Sequence, residues 1–163
     1  MTGCRTVAAV PLNVNLITAE YRNFTNGVGQ YNIVAWGIAP IGMGIDGFRV
    51  EVVYPNGTGP TPPVTRTFTN QGYFQCPICA IYLENCMGTD CEKTYLAQGG
   101  SVTISRADRN ANLGRISGSL TNARFNEWDL ANDVAIPNGG CLIVQSAGPF
   151  DEGWNVDGGM PPP

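Results

Sequence analysis

Four of the six cysteines lie within sixteen residues, in the order C-x2-C-x6-C-x4-C. They are Cys76, Cys79, Cys86 and Cys91. Four thiolates at short spacings can hold a zinc ion, and a C-x2-C pair can also act as a thiol–disulfide redox centre. Against zinc, the second spacing is four residues rather than two, and residues 80–83 (AIYL) have the pattern of a buried strand. A redox pair would require a βαβ context that this segment lacks.

The other two cysteines favour a third interpretation, in which all of them are oxidised. Cys4 and Cys141 bring the count to an even number in a chain with few charges, which is typical of disulfide-linked extracellular domains. The most economical pairing joins Cys4 to Cys141 and places the other bridges within residues 76–91. Zinc and redox chemistry stay open as alternatives.

The N-terminal residues MTGC resemble the end of a bacterial lipobox, so lipidation of Cys4 is a further alternative. Residues that precede Cys4 argue against that processing. No charged region followed by an apolar stretch opens the sequence, so if the protein is secreted, we expect this chain to be the mature form.

A cluster of oxygen-bearing side chains is the second feature with chemical potential. Asp108, Asn110 and Asn112 recur at alternate positions, as ligands do in calcium loops. The match to an EF-hand loop fails, because Leu113 stands at the glycine position and Ser119 at the position of the bidentate glutamate. The alternative is an ordinary hairpin loop rich in turn-forming residues.

Two further patterns concern sugars. Glu127 and Asp129 would point to the same side of a strand, about 6–7 Å apart, as the paired carboxylates of a glycosidase can. Their alternative is the polar face of a strand. A sugar-stacking platform could be formed by tryptophans, whose more common place is the core or an interface. They are Trp36, Trp128 and Trp154.

The composition excludes several classes of function. Charged residues make up 13% of the chain, about half the usual share, and histidine is absent. Neither a Ser-His-Asp nucleophile nor an imidazole metal site can therefore be built. The net charge of −4 provides no basic surface for nucleic acid, and no run of about 18 apolar residues predicts a membrane span. We expect no cofactor, with calcium as the alternative and zinc disfavoured.

Strand patterns dominate the elements that must position these residues. Residues 48–52 (FRVEV) alternate, with apolar side chains on one face and the charges of Arg49 and Glu51 on the other. We predict an all-β fold with little or no helix: an antiparallel β-sandwich of jelly-roll or Greek-key type, cross-linked by disulfides, with about ten short strands. The strands are predicted at residues 14–18, 30–36, 48–54, 64–69, 80–83, 93–96, 101–105, 115–121, 123–129 and 141–145.

The predicted domain covers residues 1–157, followed by a proline-rich tail at residues 158–163 that cannot join a central strand. An N-terminal strand at residues 5–18 either pairs within the chain, tied by Cys4, or is exchanged with a neighbouring copy by β-augmentation.

The sequence also carries a resemblance in its second half. Residues 76–105 (CPICAIYLENCMGTDCEKTYLAQGGSVTIS), followed by 117–128 (SGSLTNARFNEW) and 139–144 (GGCLIV), are similar to cysteine-containing β-domains of secreted proteins and lipoproteins from myxobacteria and related bacteria. The resemblance covers residues 76–145. It implies an envelope or extracellular location and transfers no catalytic residue.

Together these features predict a non-enzymatic extracellular or cell-surface protein with a structural or adhesive role, such as the self-assembling subunit of a surface filament or layer. Its partners would be other copies of itself or cell-surface components. The alternative is a carbohydrate-binding module, in one version stabilised by calcium. A carboxylate glycosidase is the third hypothesis.

Overall fold

A computed structural model describes residues 3–7, 17–23, 30–38, 45–54, 58–87, 90–108 and 114–153. In these ranges the chain forms β-strands and one turn of 3-10 helix, with no α-helix, which confirms the predicted β-rich fold. The strands are β1 Arg5–Val7, β2 Ile17–Asn23, β3 Gln30–Ile38, β4 Ile45–Tyr54, β5 Val64–Thr67, β6 Ile78–Met87, β7 Asp90–Ala107, β8 Arg115–Asp129, β9 Val134–Ala135 and β10 Cys141–Gly153; the 3-10 turn is Tyr73–Gln75.

Eight strands follow one another in a single hydrogen-bonded path, in the order β1-β10-β8-β7-β6-β4-β3-β2, while β5 pairs with β7 and β9 with β8. From β2 to β10 this path is an antiparallel meander. The sheet is mixed rather than purely antiparallel, because β1 runs parallel to β10. The reason is covalent: Cys4, just before β1, is bonded to Cys141, the first residue of β10, so both strands start at the bridge.

The sheet curls strongly. The rings of Phe48 on β4 and Phe125 on β8 meet edge to face, with centroids 6.0 Å apart. In a flat sheet these strands would be separated by three strand spacings, about 14 Å. Backbone atoms of β2 and β10 also approach each other, with Cα–Cα distances within 8 Å. Two strands far apart in the hydrogen-bonded path are therefore neighbours in space.

The prediction of ten short strands is wrong for the longest strands. β7 has 18 residues and β8 has 15, and each contains two of the predicted strands. Where the sequence predicted breaks, the two strands are bent: Gly100 has a φ of +79° and Asn122 a φ of 47°, and the register between β7 and β8 shifts around Gly99. A Cβ atom on Gly100 would collide with the carbonyl oxygen of Asn122, so glycine permits the close approach.

Alternate residues of β4, β6, β7, β8 and β10 enclose the main core. The largest side chains less than 2% exposed include Phe48, Ile104, Ile116, Leu120, Phe125 and Leu142. On β4 the apolar residues face this core as the alternation predicted.

The opposite face of β4 is not the wet face that the alternation predicted. Glu51 is 4% exposed and pairs with Arg49 at 2.9 Å. It also accepts a hydrogen bond of 3.0 Å from the Tyr73 hydroxyl. The segment around the 3-10 turn covers this face and makes a second, smaller core there. The buried members of that core are Cys76, Cys79, Ile81, Leu83, Cys86 and Leu96.

Two-sided burial explains the sequence of β6. Residues 78–83 are all buried, because odd and even positions face different cores. A strand covered on both faces has a nearly continuous apolar run instead of alternation. In the described part of the chain, no helix is long and apolar enough to cross a membrane.

Candidate functional site

All six cysteines are paired, as Cys4–Cys141, Cys76–Cys79 and Cys86–Cys91. The predicted bridge from Cys4 to Cys141 is confirmed, and so is the placement of the others within residues 76–91. No four thiolates are thus left together for zinc. Cys79 is 1% exposed, whereas redox-active cysteines are partly accessible. The bridges therefore have a structural character.

Beside the Cys76–Cys79 bridge, one carboxylate joins chain segments about sixty residues apart. Asp133 accepts hydrogen bonds from the backbone N–H of Tyr73 and, at 3.2 Å, from that of Phe74. Its Oδ1 also accepts from the indole Nε1 of Trp128 at 3.1 Å. Three aromatic residues thereby lie around one acidic group, and we call Tyr73, Phe74 and Trp128 the aromatic surface.

Local structure explains how the chain builds this surface. Asp133 is the last residue of the turn after β8 and has a φ of 54°, a conformation that aspartate tolerates better than most residues. Gly72 allows the approach, because a Cβ atom there would collide with the Asp133 carboxylate. The 3-10 turn closes with a hydrogen bond from the Cys76 N–H to the Tyr73 carbonyl, and the disulfide to Cys79 then fixes the turn to β6.

The aromatic surface combines buried support with an open ring. Tyr73 and Trp128 pack against the second core, whereas Phe74 is 69% exposed. The rings of Tyr73 and Phe74 are tilted by 48°, with centroids 5.9 Å apart. Gln71 precedes the turn and Gln75 ends it; the Gln71 amide donates to the Gln75 carbonyl at 3.0 Å and accepts from the Arg66 guanidinium at 2.6 Å. An exposed ring followed by the exposed Gln75 can stack on a ligand ring and offer an amide to its polar groups.

Of the predicted stacking residues, Trp128 belongs to this surface. The Trp36 side chain and Trp154 lie outside the described residues. Tyr73, Phe74 and Asp133 were not predicted. The only sequence signal for them is the run of aromatics just before Cys76.

Asp108, the first residue of the predicted calcium site, is hydrogen-bonded within the chain. The Oδ2 atom of Asp108 accepts from the Arg106 guanidinium at 2.7 and 2.8 Å and from the Arg115 N–H at 3.0 Å. These hydrogen bonds, that from Arg106 above all, lower the pKa of Asp108. Asn110 and Asn112 lie outside the described residues. Asp108 also lines an open groove of about 590 Å³ with Tyr54, Pro60 and Pro62.

The two carboxylates considered for glycoside hydrolysis have separate structural partners. Glu127 accepts from the Gly140 N–H at 2.7 Å and lies 4.0 Å from Lys93 Nζ. Asp129 accepts from both the backbone and the side-chain nitrogen of Asn132, which lowers its pKa. Asp129 thus serves the turn that follows β8 rather than a shared site with Glu127.

A polar network lies next to Glu127, at one end of the main core. The Tyr95 hydroxyl donates to Glu84 at 2.6 Å, and the Tyr82 hydroxyl donates to Asp46 at 2.8 Å. Arg5 of the edge strand pairs with Glu84 at 2.9 Å, which links β1 to β6. Burial, together with these carboxylate acceptors, raises the pKa of both tyrosines, so both hydroxyls remain donors.

Comparisons with protein-family models, with curated proteins and with solved structures find no match to this chain.

Proposed function

We propose that this chain is a non-enzymatic extracellular protein with a structural or adhesive role. The observation that supports it best is the pairing of all six cysteines within one chain. Disulfides persist mainly in oxidising compartments. Because a chain of 163 residues can bury a stable core without them, their role here is durability outside the cell.

The positions of the bridges support durability as well. One ties the edge strand β1 to β10, one fixes the covering turn to β6, and one closes the tip of the β6–β7 hairpin. Each lies where a sheet edge, a loop or a hairpin end would otherwise open first. The resemblance of residues 76–145 to β-domains of secreted proteins and lipoproteins points to the same compartment.

We also propose that the curled sheet is a two-layer sandwich, with β2 to β4 facing β8 and β10 across the main core. The contact between Phe48 and Phe125 supports this arrangement. Since the described connections form a meander, the jelly-roll variant has less support than the sandwich itself. The proposed partners are other copies of the chain or cell-surface components. Because residues 5–7 pair with β10 of the same chain and Cys4 is bonded to Cys141, pairing within the chain has more support than exchange of the N-terminal segment 5–18.

The test measures the oxidation state of the cysteines after export and the association of the protein with itself or with the cell envelope. Protein exported to an oxidising compartment should have no thiol that reacts with maleimide before reduction and six after it. Sedimentation velocity and pull-down with envelope preparations should then show self-association or retention. A strictly monomeric protein that envelopes do not retain contradicts the structural or adhesive role.

A further inference from the structure

We propose that the aromatic surface binds a neutral glycan, with Phe74 as the ring on which a sugar stacks. This inference rests on the proposed adhesive function and names the chemical class of its partner. It goes beyond the tryptophan pattern in the sequence, because the exposed ring is Phe74, while Trp128 donates to the same Asp133 carboxylate as the Phe74 backbone.

The first argument is the combination of exposure and order at Phe74. The residue is 69% exposed, an unfavourable state for an apolar ring in water. The backbone that bears it is nevertheless fixed on both sides, by the Asp133 carboxylate and by the nearby Cys76–Cys79 bridge. A ligand that stacks on Phe74 therefore meets a pre-organised ring and does not have to order the loop.

The second argument is the surrounding chemistry. Gln75, which follows Phe74 and ends the turn, is exposed, while the Gln71 amide holds the turn through the Gln75 carbonyl and the Arg66 guanidinium. A pyranose presents an apolar C–H face and a rim of hydroxyl groups. An exposed aromatic ring followed by an exposed amide matches both features, because the ring takes the C–H face and the Gln75 amide can hydrogen-bond a hydroxyl.

The third argument distinguishes a glycan from a second protein. Exposed large apolar side chains among the described residues are Phe74, Met87, Val134 and Ile136. By the register of β8 and β9, Val134 shares a face with Asp129, opposite to Trp128, so it does not extend the aromatic surface. One ring in a polar surround is much smaller than the roughly 800 Å² per partner of a stable protein interface.

The negative charge of the surface and of the chain favours a neutral glycan over an acidic one. The Asp133 carboxylate lies at the centre of the surface, and the chain has a net charge of −4. Both disfavour an anionic polymer. A neutral polysaccharide is therefore the ligand class that fits.

The experiment uses the full disulfide-bonded chain and four polysaccharides. Cellulose and chitin serve in pull-down assays, and a soluble β-1,3-glucan and heparin serve in affinity electrophoresis. We expect binding to at least one neutral polymer and none to heparin. Phe74→Ala should weaken that binding by about tenfold, the scale of a single aromatic contact, while Phe74→Trp should retain it. Met87→Ala is the matched control, because Met87 is 75% exposed and lies elsewhere, at the end of β6.

The outcomes separate this inference from the adhesive function. Envelope retention without binding to any neutral polymer overturns the glycan proposal alone, as does a folded Phe74→Ala variant that binds like the wild type. Neutral-polymer binding by a monomer that envelopes do not retain supports the glycan proposal and contradicts the broader one.

Discussion

The Asp133 carboxylate orders the aromatic surface by accepting three hydrogen bonds, two from the backbone of Tyr73 and Phe74 and one from the indole of Trp128. Asp133→Ala would remove all three acceptor contacts and place alanine at a φ of 54°. Because water can replace part of the lost hydrogen bonding at this half-buried site, we expect the free energy of unfolding to fall by about 1–2 kcal/mol. Urea denaturation measures it.

Asp133→Asn is the matched control. Asparagine tolerates the same backbone conformation and keeps one side-chain acceptor, so its loss should be clearly smaller. Equal stability of the alanine variant and the wild type would show that Asp133 does not hold the turn.

Tyr82 and Tyr95 give a pH dependence at the same scale. Burial and the carboxylates of Asp46 and Glu84 raise their pKa above the ordinary value of 10.0. A hydroxyl that ionises more readily in the unfolded chain stabilises the fold at pH values below 10, and that contribution declines as the pH rises further. We therefore expect Tyr82 and Tyr95 to ionise at a higher pH in the folded protein than in the unfolded chain, as followed by an absorbance titration.

Tyr82→Phe tests the assignment of those late transitions. It should remove one late-ionising group and leave the other. A titration in which all tyrosines of the folded protein ionise together near the ordinary value would contradict the burial of these hydroxyls.

The residues of the candidate site differ in how far sequence could predict them. The cysteines were predictable, since their count and spacing carry the chemistry of pairing whatever the fold. Trp128 could be named as a candidate stacking residue because it is a tryptophan, but its position in the fold could not be predicted. Phe74 and Asp133 were not predictable, because their meeting depends on how the turn after β8 returns to a loop about sixty residues earlier.

Among the elements, the bend shared by β7 and β8 gives the sharpest substitution test. Gly100 has a φ of +79°, and a Cβ atom there would collide with the Asn122 backbone. Gly100→Ala should lower the free energy of unfolding by about 2–4 kcal/mol, from strain together with a clash that backbone cannot easily relieve. Thermal and chemical denaturation measure this loss.

Gly99→Ala is the adjacent control. A Cβ atom on Gly99 would meet only the Arg124 Cβ at 3.5 Å, an ordinary contact. Its effect should stay within about 1 kcal/mol. If the two alanine variants were equally stable, the bend would not depend on glycine at position 100.

The same bend explains where the strand prediction was wrong. Gly99-Gly100 and Asn122 are residues typical of turns, and the sequence pattern placed strand ends beside them. In the structure they lie opposite each other, so each absorbs the local distortion while the chain continues in the same strand. β6 shows the reverse case: its unbroken apolar run correctly indicated a buried strand, because burial on both faces leaves a local pattern.

In the whole molecule, the Cys4–Cys141 bridge controls both chain entropy and an exposed sheet edge. It joins residues 137 apart, whereas Cys86–Cys91 joins residues 5 apart. In the chain-entropy model, removing the long-range bridge by Cys4→Ser with Cys141→Ser should cost about 5 kcal/mol, against about 2 kcal/mol for the corresponding Cys86/Cys91 variant. Guanidinium denaturation of the two variants gives the comparison directly.

Removal of the Cys4–Cys141 bridge should also affect the sheet edge that β1 covers. β1 covers residues 142–144 of β10, and in the described residues three pairs join the two strands. Without the bridge, β1 can detach and leave unpaired backbone groups of β10 available to another copy. We expect the Cys4/Cys141 variant to self-associate more than the wild type in sedimentation velocity, while the Cys86/Cys91 variant does not. A larger loss of stability in the Cys86/Cys91 variant would contradict the entropy argument. If both variants sedimented alike, the Cys4–Cys141 bridge would not be what keeps β1 on this edge.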